Sequence, residues 1–193
     1  MELSERLLAQ LSLLPTGAER DGSALVDDLA ALVTTLSEAV SGYAGLRLTL
    51  VHSGHPVQVA AMTAVRPGQE VVTSLRLALG PVSDAFEEGG RLVVWSTVPG
   101  ALVDLAADLG YVFLAGGTTR SGPPVVDLDA DLALPPTISE VTGLDELATI
   151  HRAVGLLIGR GHDPATVHQT LRDGADGDST STYAWAVRLL GRP

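Results

Sequence analysis

Few side chains in this chain could do chemistry. The 193 residues include no cysteine, so disulfides, thiolate nucleophiles and sulfur-bound metals are excluded together. Lysine is also absent, and all twelve basic residues are arginines. Without lysine there is no P-loop cation, so Gly116-Gly117-Thr118-Thr119 and Gly54 read as turns rather than phosphate cradles. Serine, histidine and aspartate all occur, but no G-x-S-x-G elbow presents a serine nucleophile. Asp127, Asp129 and Asp131 alternate, and Asp173, Asp176 and Asp178 cluster around glycines. Neither run has both the glycine and the distal bidentate glutamate of a calcium loop, so both are expected to be solvated loops. His162 and His168 lie six apart, with His151 on a separate helix, a spacing that predicts no metal site. No catalytic residue, metal or cofactor is expected. What remains is arginine: Arg152, Arg160, Arg172 and Arg188 can fork onto phosphate and stack on unpaired bases.

Charge bears on that chemistry. The net charge is −11, which opposes nucleic-acid binding of the simple electrostatic kind. It is unevenly spread, however. Residues 1–142 carry seven arginines against seventeen acids, whereas residues 143–193 carry five against six. Mean hydropathy is high at +0.28, yet no apolar run approaches the roughly 18 residues of a membrane span. The first residues lack a basic region ahead of a hydrophobic core, so no signal peptide is expected. A cytoplasmic chain without a membrane partner fits these features.

The elements that would carry these residues follow from periodicity. Leu3, Leu7, Leu11 and Leu14 predict a short amphipathic helix ended by Pro15 and Gly17. A second helix opens near Asp21 or Ser23 and buries Leu25, Leu29, Leu32, Val33, Leu36 and Val40. Period-two runs at 46–51 and 57–62, joined by His52-Ser53-Gly54-His55, predict a hairpin. Further strands are expected over 71–79 and 92–96, with a polar connection at 81–90 between them. A helix over 101–109 should stop at Gly110, and Tyr111 to Leu114 reads as a fifth strand. Residues 116–137, rich in glycine, proline and aspartate, read as a linker. Three helices close the chain: about 142–160, a second opened by Asp163-Pro164 and broken at 174–178, and a last one capped by Ser179 or Ser181. Tyr183, Ala186, Val187 and Leu190 share one face of that last helix. On the first, Leu147, Ile150, Val154 and Leu157 form a narrow seam of the coiled-coil kind, which is either intramolecular core or a homodimer interface, the latter favoured.

The run Ile150-His151-Arg152-Ala153-Val154-Gly155-Leu156-Leu157-Ile158-Gly159-Arg160 resembles the opening of the ANTAR RNA-binding domain. Ala153, Gly155, Leu157 and Arg160 match that family's motif; Leu171-Arg172, Ala175 and Trp185-Ala186 follow in its order. The part upstream resembles a compact GAF domain in the order of its elements. The resemblance implies an α+β fold: an N-terminal helix (1–20), a GAF-like antiparallel sheet flanked by helices (21–137, including the linker at 116–137), and an ANTAR-like three-helix module (138–193). It implies a non-catalytic transcription regulator whose tail binds stem-loop RNA through Arg152, Arg160, Arg172 and Arg188 and acts in antitermination. Val154 stands at the family's lysine, and Asp176, Asp178, Ser179 and Thr180 stand where basic residues are usual. Two alternatives therefore stay open: a dimeric signalling or protein-interaction scaffold without RNA binding, and a small-molecule-sensing GAF protein.

Overall fold

A computed structural model describes residues 2–18, 22–63, 70–82, 86–115, 125–133 and 139–191. Its elements are α1 (Glu2–Ala18), α2 (Gly22–Ala39), β1 (Tyr43–His52), β2 (His55–Met62), β3 (Thr73–Ala78), β4 (Arg91–Ser96), α3 (Val103–Ala115), β5 (Val126–Leu128), β6 (Ser139–Thr142), α4 (Leu144–Gly159), α5 (Val167–Gly177) and α6 (Thr182–Leu190). The strands form one six-stranded sheet in the order β5-β3-β4-β1-β2-β6, and the pairs β1–β4, β3–β4 and β3–β5 are antiparallel. The chain is thus α+β, as expected. It divides into two compact units, residues 1–49 with 59–140, and residues 50–58 with 141–193.

In the first unit the core is organised by β4. Leu92 lies opposite Leu48 and Leu77, and Val94 opposite Leu46 and Leu75; all six are essentially inaccessible. Val93 and Trp95 point the other way and cluster with Ala44, Met62 and Val71. Burial on both faces explains why Leu92 to Trp95 is a continuous apolar run instead of an alternating one. In the same unit α1 buries Leu7, Leu11 and Leu14, while α2 buries Leu32 and Leu36, with Val40 buried just past its end. The two helices pack on each other, with Gln10 Nε2 donating to Thr35 Oγ1 at 3.0 Å.

Three expectations fail in this unit. Helix α1 does not end at Pro15 but continues to Ala18; burial of Leu11 and Leu14 outweighs the one backbone donor that proline lacks. Tyr111 to Leu114 is not a strand. It is the last turn of α3, which runs through Gly110 because Leu102, Leu105, Leu109 and Phe113 keep helical spacing and stay buried. Tyr111 and Leu114 are left 66% and 72% exposed; a short apolar run by itself does not distinguish helix from strand.

The alternating aspartates are not solvated loops either. Within the expected linker, Val126–Leu128 pairs with β3, and each carboxylate fastens that stretch to the sheet. Arg76 Nη2 meets Asp127 Oδ2 at 2.5 Å. Asp129 Oδ1 accepts from Thr73 Oγ1 at 2.8 Å and from the Ser74 amide at 3.0 Å. Asp131 faces Arg47 at 3.6 Å, and its carbonyl takes the Trp95 indole N–H at 2.7 Å. Arg47 lies over that indole, 5.2 Å from its centroid. The expected cap at Asp21, the Gly116 to Thr119 turn and the rest of the linker outside 125–133 lie outside the described residues.

The second unit combines the tip of the β1–β2 hairpin with three helices. Ser53 and Gly54 both have positive φ, at 54° and 75°, the backbone of a two-residue type I′ turn. Ile150, Ala153, Val154, Leu157, Val167, Leu171, Ala186 and Leu189 form the helical core, with Trp185 packed against it. Helix α5 begins at Val167 rather than at Pro164; Asp163 holds the preceding turn by accepting from the Ala165 amide at 3.1 Å. It runs unbroken through Gly174, where a Cβ would lie 2.6 Å from Trp185 Nε1. Glycine therefore serves close helix packing here, not a break. Ser181 caps α6 by accepting from the Ala184 amide at 3.2 Å.

Two stability predictions follow from these contacts. Asp129→Ala removes two hydrogen bonds and leaves alanine at a φ of 58°; denaturant melts should show a loss of about 1–3 kcal/mol, with Asp129→Asn costing less. Gly174→Ala should destabilise by about 1–2 kcal/mol through overpacking against Trp185, whereas Gly177→Ala, with open space around it, should be neutral or stabilising.

Candidate functional site

The predicted arginines divide into two groups. Arg188 Nη1 is paired with Asp178 Oδ2 at 2.9 Å, so its charge is locally met. Arg152, exposed on α4, donates to the Ala148 carbonyl at 3.3 Å and to Thr149 Oγ1 at 3.1 Å within its own helix. Arg160 is exposed at the end of α4, its amide closing the last turn on Leu156 and Leu157 carbonyls. Arg172, half-buried on α5, donates to Gln169 Oε1 at 3.0 Å. Among the described residues these three make no ion pair.

The predicted seam lies largely inside its own unit. Ile150, Val154 and Leu157 are buried in the helical core of their own chain against residues of α5 and α6, and Leu147 is half-buried. Their apolar surface is consumed within the unit, because a three-helix unit this small must bury its helix stripes on itself. On α6 the inward residues are Ala186 and Leu189, while Tyr183, Val187 and Leu190 remain 38%, 46% and 38% exposed.

Sequence spacing gives no hint of the constellation that the fold brings together. His52 at the end of β1, His151 on α4 and His168 on α5 meet ring against ring. Their centroids are 5.5 Å apart for His52–His151, 6.4 Å for His52–His168 and 6.5 Å for His151–His168, each pair close to perpendicular. Ser53 Oγ and His168 Nδ1 share a hydrogen bond of 2.9 Å. His55, across the turn, lies 6.4 Å from the Tyr183 ring, and its Nε2 is shut off from solvent without a hydrogen-bond partner. A Cβ on Gly54 would lie 3.6 Å from Arg172 Cδ, which places that arginine's stem beside the turn. The one legible trace was His52-Ser53-Gly54-His55, two histidines flanking a tight turn; nothing in the sequence says what the turn touches.

The electrostatics of the trio are those of like charges. His151 is held below the usual histidine range, first by partial desolvation of its largely exposed ring and then by His52 and His168. All five histidines of the chain fall in this unit, at positions 52, 55, 151, 162 and 168. With histidine neutral the unit carries −1, from five arginines and six acids; with every histidine protonated it carries +4. Histidine is the side chain whose ordinary pKa makes such a swing available near neutrality. Among the described residues no group of three histidine, aspartate or glutamate side chains is arranged to hold a metal ion, and no helix is long and apolar enough to cross a membrane.

Comparison with family models, with curated proteins and with solved structures finds no match to this chain.

A pH prediction follows from the lowered His151. Between its folded value and the ordinary value of about 6.5, the unfolded chain binds more protons than the folded one, so stability falls as pH drops through that window. Thermal melts should show the midpoint falling from about pH 7.5 to about pH 5.5, and His151→Gln should flatten that dependence.

Proposed function

We propose that this chain is a non-catalytic cytoplasmic regulator whose helical unit binds structured RNA, in the manner that its resemblance to GAF–ANTAR proteins implies. One observation carries the reading: among the described residues Arg152, Arg160 and Arg172 make no ion pair with a carboxylate, although the chain as a whole is strongly acidic. Arg47, Arg76 and Arg188 differ, each being paired with an acid in Arg47–Asp131, Arg76–Asp127 and Arg188–Asp178. Binding to a stem-loop would use these three for phosphate, with Arg188 contributing less while Asp178 holds it. Affinity on this basis is modest, and its salt dependence shallow, because only about three phosphates are neutralised per chain.

A gel-shift titration tests it. A stem-loop RNA at low salt should be shifted at protein concentrations on the order of micromolar to tens of micromolar. The double variant Arg160→Ala/Arg172→Ala should weaken binding by about tenfold and reduce the salt slope by roughly two, with the melting curve unchanged. Absence of any shift at those concentrations removes the RNA reading.

The exposed stripe Tyr183, Val187 and Leu190 on α6 favours a second reading, a protein-interaction scaffold. On that reading Val187→Glu abolishes partner or self-association seen by sedimentation, while RNA is irrelevant.

A further inference from the structure

We infer that His52, His151 and His168, with Arg172 beside the Ser53-Gly54 turn, form a proton-gated site for a phosphate group. The inference stands on the geometry of these rings and does not need the RNA reading. Three imidazoles drawn from a strand and two helices are packed edge to face within 6.5 Å of one another. Apolar collapse does not explain that arrangement, because His52 and His151 are exposed and His168 is half-buried. Nor does metal binding, since no three donors converge on a metal position among the described residues.

Protonation changes what the cluster offers. A neutral ring has one N–H donor and one acceptor; a protonated ring has two donors. Three charged rings at this separation repel one another, and an anion placed among them relieves the repulsion while accepting the new N–H groups. Oxygen-rich phosphate suits such a set. Ser53 Oγ shares a hydrogen bond with Nδ1 of His168, which orients that ring.

The surrounding charges permit this. On α4 the neighbour in sequence is Arg152, and on α5 Arg172 stands one turn after His168. The hairpin contributes His55 and no acid, and α6 brings Tyr183 to His55. The acids of these elements are Asp145 and Glu146 in the first turn of α4, and Asp173 and Asp176 on α5. Asp173 is engaged by Gln169 Nε2 at 2.6 Å. Partial desolvation and then the two other rings depress the proton affinity of His151. A bound phosphate reverses that sign, so binding takes up protons and tightens as pH falls.

The phosphate can belong to an RNA backbone or to a small phosphate compound, and one experiment separates these. The unmodified chain is titrated with inorganic phosphate and with a stem-loop RNA, at about pH 7.5 and about pH 5.5. The readouts are ring-proton NMR shifts of the histidines and the affinity. A free phosphate loses negative charge over that range, whereas a phosphodiester keeps its single charge; a rise in affinity with either probe therefore places the protons on the protein. The expected result is shifts at His52, His151 and His168 and affinity higher by about tenfold or more at the lower pH. A rise with RNA alone assigns the site to the backbone; a rise with both assigns it to phosphate in general. His52→Gln/His151→Gln should remove the pH dependence, with circular dichroism showing that the fold is kept.

Several results overturn the site: histidine rings unmoved by either probe at the lower pH, affinity equal at both pH values, or a double variant that binds as before. So does micromolar zinc shifting the three rings where phosphate does not. RNA binding that persists at both pH values and in the double variant defeats this inference but leaves the arginine reading standing. Ring shifts with phosphate and no RNA binding at any pH do the reverse.

Discussion

The sheet depends on one strand that has no solvent face. Leu92, Val93, Val94 and Trp95 of β4 are all inaccessible, so every neighbour must supply apolar surface on both sides. That requirement sets the register with β1 and β3, where leucines face Leu92 and Val94 from both flanks. The opposite face is closed by Ala44, Met62 and Val71 around Trp95. A buried indole also needs an acceptor for its N–H. The Asp131 carbonyl provides it, and the carboxylates of three aspartates fasten the stretch 125–133 to residues of β3 and β1. An acidic stretch with the composition of a linker becomes an edge strand because its carboxylates meet Arg47, Thr73, Ser74 and Arg76.

The helical unit obeys a comparable constraint at smaller scale. Three helices of 16, 11 and 9 residues have little apolar surface to share, so closeness of approach matters more than bulk. Gly174 lets Trp185 sit against α5, and Ala153 and Ala186 keep the helices near one another. This is why the seam Ile150, Val154 and Leu157 is occupied within the chain. The polar rim then carries the unit's chemistry: Arg152, Arg160 and Arg172, which make no ion pair among the described residues, and histidines in ring contact.

Those two sets of side chains act in different ranges of pH. Arginine stays charged throughout, so any anion affinity it confers is constant. The histidine trio contributes nothing cationic while neutral and becomes a strong local charge once protonated. A unit that moves from −1 to +4 while the remainder of the chain stays acidic can change its partners without changing its fold.

Local pattern was enough for much of this architecture. Leucines at three- and four-residue spacing marked α1, α2 and α4, because one stripe of each must be buried. Alternation and the Ser53-Gly54 turn marked β1 and β2, and Ser181 marked the start of α6. Where pattern misled, a longer-range contact had overridden it: helical burial of Phe113 drew Tyr111 to Leu114 into α3, and the approach of Trp185 turned a glycine break into continuous helix. The arginines could be named from their type and position, since exposure is the default for that side chain, but their pairing could not; only the fold put Asp178 against Arg188. The histidine trio lay beyond sequence altogether. His52 and His151 are about a hundred residues apart, with no periodicity linking a turn to a helix, and their contact exists because tertiary packing sets the hairpin tip against α4 and α5 within one unit.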